Sequence, residues 1–246
     1  MKTFAEQCAT LAPLNTFDPM AFQGDRDVPQ ELCSLILSLA LICNDCKNTI
    51  YVAELLQDVK PQGQFEFNGH WATWSGIDWH LIRLFVSYVH ELFEVIRNHR
   101  ELLDHPFLVK VLKQVQGNSR AAWKTLVSVA DDATPKDELD KLLLLVRNKV
   151  VFHYDPKGIY RGFNQQFLDP GCSQQRGYVS RGLSMNETRF YFADAAVQGH
   201  FQETKGNMES ADLSKKIIDI IESLNFALIG VVDRFIQMRG FAYREV

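Results

Sequence analysis

The sequence predicts an all-α protein: a bundle of four main helices, with two short extra helices and a small β-hairpin insertion before the last long helix. Apolar residues recur at steps of three and four along several stretches, which places them on one face of a helix. The 246 residues are 46% hydrophobic and 23% charged, the composition of a chain that buries a large core. We therefore expect a single helical domain over 1–246, with an irregular N-terminal segment at 1–27.

Two long helices are predicted in the first hundred residues. The first begins at Pro29, because proline suits the first helical turn, and ends before Pro61. Its apolar stripe consists of Leu32, Ile36, Leu39, Cys43, Cys46, Ile50 and Ala53. An aromatic loop around Trp71 and Trp74 is expected next, and the second long helix begins near Ile77.

The remaining helices are predicted from their start and stop signals. Two short helices are expected at about 106–116 and 119–130. A third long helix begins at Thr134, a residue type that caps helices, and ends at Pro156, which removes a backbone donor. The fourth long helix runs from about 210 to 239.

Residues 159–207 differ from the rest of the chain. The helical period of apolar residues disappears, and Gly and Gln become frequent. The stretches 178–183 and 188–192 are predicted to form a small β-hairpin. We therefore interpret 159–207 as a loop and hairpin inserted into the helical domain.

Several features indicate a cytoplasmic protein with no membrane association. The N-terminus has no apolar signal-peptide core, and the best apolar run, Leu32–Cys43, is too short to cross a bilayer. The five cysteines are an odd number, which suits reduced thiols. The formal net charge of −4 gives no argument for a nucleic-acid partner by itself.

The candidate metal ligands do not form a complete set. Cys43 and Cys46 make a single C-x-x-C motif, and a zinc site would need two more ligands that the neighbouring sequence lacks. His70 and His80 have only Asp78 near them at ligand spacing, so packing among the tryptophans is the better interpretation. We therefore predict no metal and no cofactor.

A polar set interrupts the most apolar stretch of the chain, Leu142–Gly158. Five apolar residues precede Arg147 and Asn148, and three more precede His153. On a helix, Arg147 and His153 lie about 9 Å apart along the axis and about 120° apart around it, so they do not share a face. His153 continues the apolar stripe, whereas Arg147 has to reach along the helix or across to a neighbouring chain.

These residue types suit phosphodiester chemistry without a metal. Imidazole exchanges protons near neutral pH, so His153 can act as an acid or base on a ribose 2′-hydroxyl. The Arg147 guanidinium matches phosphate oxygens and can stabilise charge in the transition state. Asn148 can orient a hydroxyl or a phosphate.

The pattern of Arg147 and Asn148, followed after four residues by His153, resembles the R-x4-6-H motif of the HEPN superfamily. The resemblance implies a helical bundle, usually dimeric, and in many members a metal-independent endoribonuclease of toxin–antitoxin, anti-phage or RNA-processing systems. It implies catalytic roles for Arg147, Asn148 and His153 across a homodimer, with Tyr154 in support. It also implies RNA as the substrate and, in a toxin–antitoxin setting, a protein antitoxin as a partner.

Two other stretches match the bare motif but lack its context. Arg83 with His90 has a leucine after the arginine and lies in the middle of a predicted helix. Arg100 with His105 has a glutamate after the arginine, and a proline follows the histidine. Only the match at Arg147 combines a polar follower, a preceding apolar run and a helix end.

A basic and aromatic strip follows the motif. Between 147 and 189 there are seven Lys or Arg residues against three acidic residues, with aromatic rings interleaved. The residues predicted to bind single-stranded RNA are Lys149, Lys157, Arg161, Arg176 and Arg181. An ordinary loop with its own small apolar cluster explains the pattern equally well.

Two main functions therefore remain open from the sequence, beside a third possibility, a thiol or zinc protein built on Cys43 and Cys46. The first is RNA cleavage by Arg147 and His153; the alternative is a non-catalytic HEPN-like module that binds RNA or protein. In the alternative, Arg147 pairs with an acid such as Asp155, and His153 is a hydrogen-bonded core residue. The run Leu142–Leu145, apolar on all sides, predicts burial by other helices or by a second subunit, and we expect a homodimer.

Overall fold

The computed structural model of the chain describes residues 15–62, 68–132, 143, 155–171, 176–181, 183–184, 187–205 and 210–245. Helices dominate these residues, which confirms the all-α class. The described helices are α1 (Gln30–Asp58), α2 (Gly69–Asn98), α3 (Arg100–Leu103), α4 (Pro106–Gln114), α5 (Gly117–Asp132), α6 (Pro156–Phe167), α7 (Tyr191–Lys205) and α8 (Ser210–Met238). Two short strands, β1 (Asn15–Thr16) and β2 (Arg244–Glu245), pair in an antiparallel manner, and a 3-10 helix forms at Pro19–Phe22.

The described residues group into two compact units. The first comprises those within 49–90 and 135–213, and the second comprises those within 2–48, 91–134 and 214–246. A boundary therefore falls inside each of the long helices α1, α2 and α8. The single domain over 1–246 stays a prediction.

The helices α1, α4, α5 and α8 lie where the sequence predicts helices. In α1, the stripe residues Leu32 and Ile36 are both 0% exposed. In α8, Leu224 and Val231 are buried in the same way. The steps of three and four therefore identify the buried face of both long helices.

α2 begins at Gly69 rather than near Ile77, which corrects the predicted aromatic loop. The side-chain oxygen Oδ1 of Asn68 accepts a hydrogen bond from the backbone N–H of Trp71 at 2.9 Å, as a helix N-cap does. Trp71 and Trp74 therefore lie in the first turns of the helix. The loop prediction was wrong because the aromatic stretch was interpreted as irregular and the capping role of Asn68 was not recognised.

The tryptophans contribute to the core of the first unit. Leu56, Trp74 and Leu81 form a buried cluster, and Trp71 packs against it. Trp74 Nε1 donates a hydrogen bond to the carbonyl oxygen of Leu56 at 2.8 Å, which satisfies the polar atom of a buried indole. The rings of Trp71 and Trp74 meet edge to face, with centroids 5.3 Å apart.

Two helices occupy parts of 159–207, which the sequence predicted as loop and hairpin. α6 begins at Pro156, whose fixed φ suits a first helical position, and Asp155 Oδ1 accepts a hydrogen bond from the backbone N–H of the second helical residue at 3.1 Å. The proline that was expected to end one helix therefore begins another. The prediction was wrong because Gly158 and Gly162 replace large apolar residues on the buried face of α6.

The predicted hairpin is reduced to one antiparallel bridge between Ser180 and Arg189. Two backbone hydrogen bonds form it, from Ser180 N–H to the Arg189 carbonyl at 2.8 Å and from Arg189 N–H to the Ser180 carbonyl at 3.0 Å. Tyr191 and Phe192, expected in the second strand, are the first residues of α7. The short alternating pattern did not distinguish a bridge followed by a helix from a strand.

α1 is the one helix among the described residues that is long and apolar enough, by length and composition alone, to cross a membrane. The helix is longer than the apolar run at Leu32–Cys43 that the sequence singles out. Leu32, Leu35 and Ile36 are each 0% exposed within the second unit. Only part of the helix is buried in this way, because Leu37 and Leu41 are 50% and 61% exposed.

Arg239, directly after α8, anchors the chain segment that precedes α1. Its Nε donates a hydrogen bond to the carbonyl of Ala21 at 3.1 Å, and its Nη2 donates one to the carbonyl of Gln23 at 2.6 Å. Its Nη1 forms an ion pair with Asp25. The hydrogen bond from Arg239, and then two from nearby backbone N–H groups, hold the pKa of Asp25 below its usual value of 3.8.

Acid is expected to weaken this anchor. Because the folded-state pKa of Asp25 is lowered, its contribution is complete above the unfolded value of 3.8 and is lost as the pH falls through the folded-state pKa. We expect the denaturant midpoint to fall more steeply on acidification in wild type than in Asp25→Asn, measured by circular dichroism. Equal slopes of the denaturant midpoint against pH in the two proteins would contradict a stabilising role for the contact between Arg239 and Asp25. The matched control is Asp104→Asn, which changes an exposed carboxylate outside this contact.

Candidate nucleic-acid interface

The predicted reaction centre lies outside the described residues. The predicted site residues that lie outside the described part of the chain are Arg147, Asn148, Lys149, His153 and Tyr154. Their roles therefore stay predictions. Leu143, four residues before the arginine, is described, and it is helical and 0% exposed. At Leu143, the apolar run that precedes the motif is therefore buried.

α6 follows the motif directly and has two different faces. Gly158 and Gly162, one turn apart, are buried. Lys157, Tyr160 and Arg161 lie away from that face and are exposed. The helix therefore presents two cations and an aromatic ring to solvent within about one turn.

α6 and α7 approach so closely that no side chain fits between them. A Cβ on Gly162 would lie 2.1 Å from the carbonyl oxygen of Ala196 and 2.4 Å from the backbone nitrogen of His200. A Cβ on Gly199 would lie 2.6 Å from the carbonyl oxygen of Gly162. Because these neighbours are backbone atoms, glycine is required at both positions. We call the contact that Gly158, Gly162 and Gly199 form the glycine clamp.

His200 occupies the space beside Gly158. Its side chain is 2% exposed, and its Nε2 lies 2.4 Å from the position that a Cβ on Gly158 would take. The Asp155 carboxylate lies 3.0 Å from the same position. His200 was not predicted from the sequence. The spacing of Gly158 and Gly162 indicates a close contact with another helix, but it does not identify which residue of that helix lies beside them.

Arg161 is less available to a phosphate than its exposure suggests. Its Nε lies 3.5 Å from Oε2 of Glu203 on α7, and the two side chains are 53% and 38% exposed. The same carboxylate oxygen lies 3.6 Å from Nδ1 of His200. Glu203 therefore partly neutralises Arg161, although an ion pair this exposed contributes at most about 1 kcal/mol to stability.

Besides Arg161, three more of the predicted RNA-binding cations lie at the surface. They are Lys157, Arg176 and Arg181, all exposed. Arg189, a further cation of the strip, is instead held by Asp194, with Nη2 3.0 Å from Oδ2. The charge of the strip is therefore concentrated on fewer groups than the sequence count suggests.

Aromatic rings are exposed in two groups within the same unit. On α6, Tyr160 is 61% exposed, and its ring stacks with that of Phe163 at an interplanar angle of 15°. Beside the β-bridge, Tyr178, Phe190 and Phe192 are 40%, 54% and 37% exposed. Phe190 and Phe192 also contact each other, with ring centroids 6.1 Å apart. A small apolar cluster and a surface on which bases can stack therefore both fit these rings.

The C-x-x-C thiols are reduced and poorly suited to chemistry. Burial raises the pKa of Cys46 to about 12, and burial also raises the pKa of Cys43. Both residues lie on α1, and neither forms a disulfide. Among the residues that the structure describes, no group of three or more His, Cys, Asp or Glu side chains could hold a metal ion.

The structure thus shows an all-α protein with exposed aromatic and basic residues in two groups, one on α6 and one beside the bridge. Comparisons with protein-family models, curated proteins and solved structures give no match. The resemblance to the HEPN superfamily therefore depends on the motif at Arg147, Asn148 and His153 together with the helical class.

Proposed function

We propose that the chain is a metal-independent endoribonuclease of the HEPN type. His153 transfers protons to and from the ribose 2′-hydroxyl and the leaving group, and Arg147 stabilises the charge on the phosphate. Asn148 orients the phosphate, and Tyr154 supports the site. The observation that carries the RNA part is the exposed cationic and aromatic face of α6, which follows the motif without a linker.

The described surface is suited to a single strand of RNA. Lys157, Arg176 and Arg181 can contact phosphates, and the exposed rings of Tyr160 and Tyr178 can stack on bases. The glycine clamp packs α6 tightly against α7, so the α6 part of this surface is preorganised.

A homodimer completes the proposed site. On the helix that the sequence predicts, Arg147 and His153 would be about 120° apart around the axis, so one copy would not bring them together on one face. A two-fold arrangement lets each copy supply a residue to the other. In this proposal the dimer acts in the cytoplasm in a toxin–antitoxin or defence system, where a protein antitoxin holds it inactive.

The test is cleavage of mixed RNA in the presence of EDTA by wild type, Arg147→Ala and His153→Ala. We expect cleavage by wild type only. The products should end in a 2′,3′-cyclic phosphate, because the 2′-hydroxyl attacks the adjacent phosphorus. Light scattering of the same samples reports the mass of the dimer. Equal activity in all three proteins would exclude the assignment.

The second candidate is a non-catalytic RNA-binding module. The exposure of Tyr160, Phe190 and the neighbouring cations favours it, since a binding surface of this kind does not need the motif. It predicts RNA binding without cleavage, and the same assay combined with a binding measurement separates the two functions.

Neutralising Lys157, Arg176 and Arg181 to glutamine is expected to weaken binding of single-stranded RNA under either function. Each lost phosphate contact should reduce the slope of log affinity against log salt by about 0.7. Fluorescence anisotropy at several KCl concentrations measures both quantities. The matched control neutralises three exposed lysines elsewhere, which are Lys110, Lys215 and Lys216. Identical salt slopes for the two triple variants would rule out this surface.

A further inference from the structure

One face of α2 in the first unit carries small and polar residues in place of apolar ones. They recur at steps of four and three and are Gly69, Thr73, Gly76, His80 and Arg83. We call this set the polar face of α2. His80 is exposed, and Arg83 is half-buried.

The bridge segment and the start of α7 lie against this polar face. The Tyr191 hydroxyl donates to the carbonyl oxygen of Gly69 at 3.3 Å and lies 3.3 Å from the hydroxyl of Thr73. Arg189 lies further along: its Nη2 is 2.0 Å from the position that a Cβ on Gly76 would take. Gly76 therefore makes room for a guanidinium group directly against the helix.

Two guanidinium groups and an imidazole meet at one end of the polar face. Nη2 of Arg83 lies 3.4 Å from Nδ1 of His80. Arg189 lies against Gly76, one helical turn before His80. Asp194 is the acid of the group, and its Oδ2 accepts a hydrogen bond from Nε of Arg189 at 3.2 Å. Among the described residues, the charges that act on His80 are those of Arg83, Arg189 and Asp194. The effect of each arginine exceeds that of Asp194, so positive charge predominates at the imidazole.

The electrostatics of His80 reflect this surplus of positive charge. Partial burial, and then the charges of Arg83 and Arg189, lower the pKa of His80 below its usual 6.5, while Asp194 opposes the shift. An anion between these groups would relieve the repulsion and favour the protonated imidazole, which then donates to it.

We propose that His80, Arg83 and Arg189 form a binding site for a phosphate group, supplied by an RNA backbone or by free phosphate. Guanidinium groups match phosphate oxygens through paired N–H donors, and a protonated imidazole adds another. The ion pair with Asp194 engages Nε and Nη2 of Arg189, so it does not use the Nη1 side of the fork. These residues lie outside the motif, and the RNA form of the proposal deepens the proposed function by adding a second phosphate contact.

Proton NMR titration of the histidine ring signals tests the site. Inorganic phosphate, compared with chloride at equal ionic strength, is expected to raise the pKa of His80, because the bound anion stabilises the imidazolium. His70, in the exposed first turn of the same helix, is the internal control, and its signal should respond equally to both salts. The variant His80→Gln assigns the signal.

Arg83→Gln is expected to abolish the phosphate effect on His80 and to weaken phosphate binding by about tenfold. If this variant does not fold, the exposed change His80→Gln takes its place, with phosphate binding measured by titration calorimetry. A wild-type His80 signal that responds to neither phosphate nor RNA overturns the proposal.

A short single-stranded RNA distinguishes the two sources of phosphate. A response of His80 to RNA that is lost in Arg83→Gln assigns the site to the RNA backbone, whereas a response to inorganic phosphate alone assigns it to a free phosphate ligand. Because both readouts are binding measurements, they remain informative when the cleavage assay is negative, and the two failures can be told apart.

Discussion

Replacing Gly162 by alanine is expected to lower the free energy of unfolding by about 2–3 kcal/mol. The new Cβ would lie 2.1 Å from the carbonyl oxygen of Ala196, which belongs to the backbone of α7 and cannot rotate away. α6 and α7 would have to separate and lose packing along their contact. The higher helix propensity of alanine, worth about 1 kcal/mol, offsets only part of this loss. Denaturant unfolding followed by circular dichroism measures the change.

Gly117→Ala is the matched control for this prediction. Gly117 begins α5, and no atom lies within 4 Å of the position that its Cβ would take. We expect a change in unfolding free energy within about 1 kcal/mol, of either sign. If Gly162→Ala were as stable as Gly117→Ala, the close approach of α6 and α7 would be wrong.

Replacing His153 by alanine is expected to reduce the rate of RNA cleavage by about 10²- to 10⁴-fold, the usual contribution of a general acid or base. RNA affinity should be largely retained, because the cations and rings that we propose as RNA contacts are left in place. Single-turnover cleavage of labelled RNA in EDTA gives the chemical rate, and anisotropy gives the affinity separately.

One of the two other matches to the bare motif, Arg100 with His105, supplies the control for His153. Arg100 forms an ion pair with Asp131 at 3.0 Å, and the His105 side chain accepts a hydrogen bond from the backbone N–H of Phe107 at 3.3 Å at the start of α4. These structural contacts account for both residues. Arg100→Ala and His105→Ala should therefore cleave RNA normally, and a loss as large as that of His153→Ala would remove the reason for choosing the motif at Arg147.

The sequence predicted those helices whose buried faces consist of large aliphatic side chains. α1 and α8 are of this kind, and their apolar steps mark the faces that the structure buries. α6 could not be predicted in the same way, because it is buried through glycines, which carry no hydrophobic signal. At the early start of α2, the Asn68 side chain accepts a hydrogen bond from the backbone N–H of Trp71, which composition does not reveal.

The sequence predicted which residue types occur in the candidate interface, but it did not predict which of them form ion pairs. The sequence shows cations and rings after the motif, yet it does not show that Glu203 neutralises Arg161 or that Asp194 holds Arg189. The first contact joins α6 and α7, and the second joins Arg189 to the first turn of α7. The polar face of α2 was also missed, because its members are separated in sequence by apolar residues of the opposite face.

The glycine clamp also determines where the chain can be altered for experiments. Because α6 and α7 are packed face to face, the connection between Phe167 and Tyr191 begins and ends at fixed points. Doubling the length of a loop with fixed ends costs only about 0.6 kcal/mol. Gly171 lies in this connection, with φ of +82° and no atom within 4 Å of where a Cβ would be. A dye-binding peptide inserted beside Gly171 would therefore provide a probe for the proposed RNA binding without disturbing either helix.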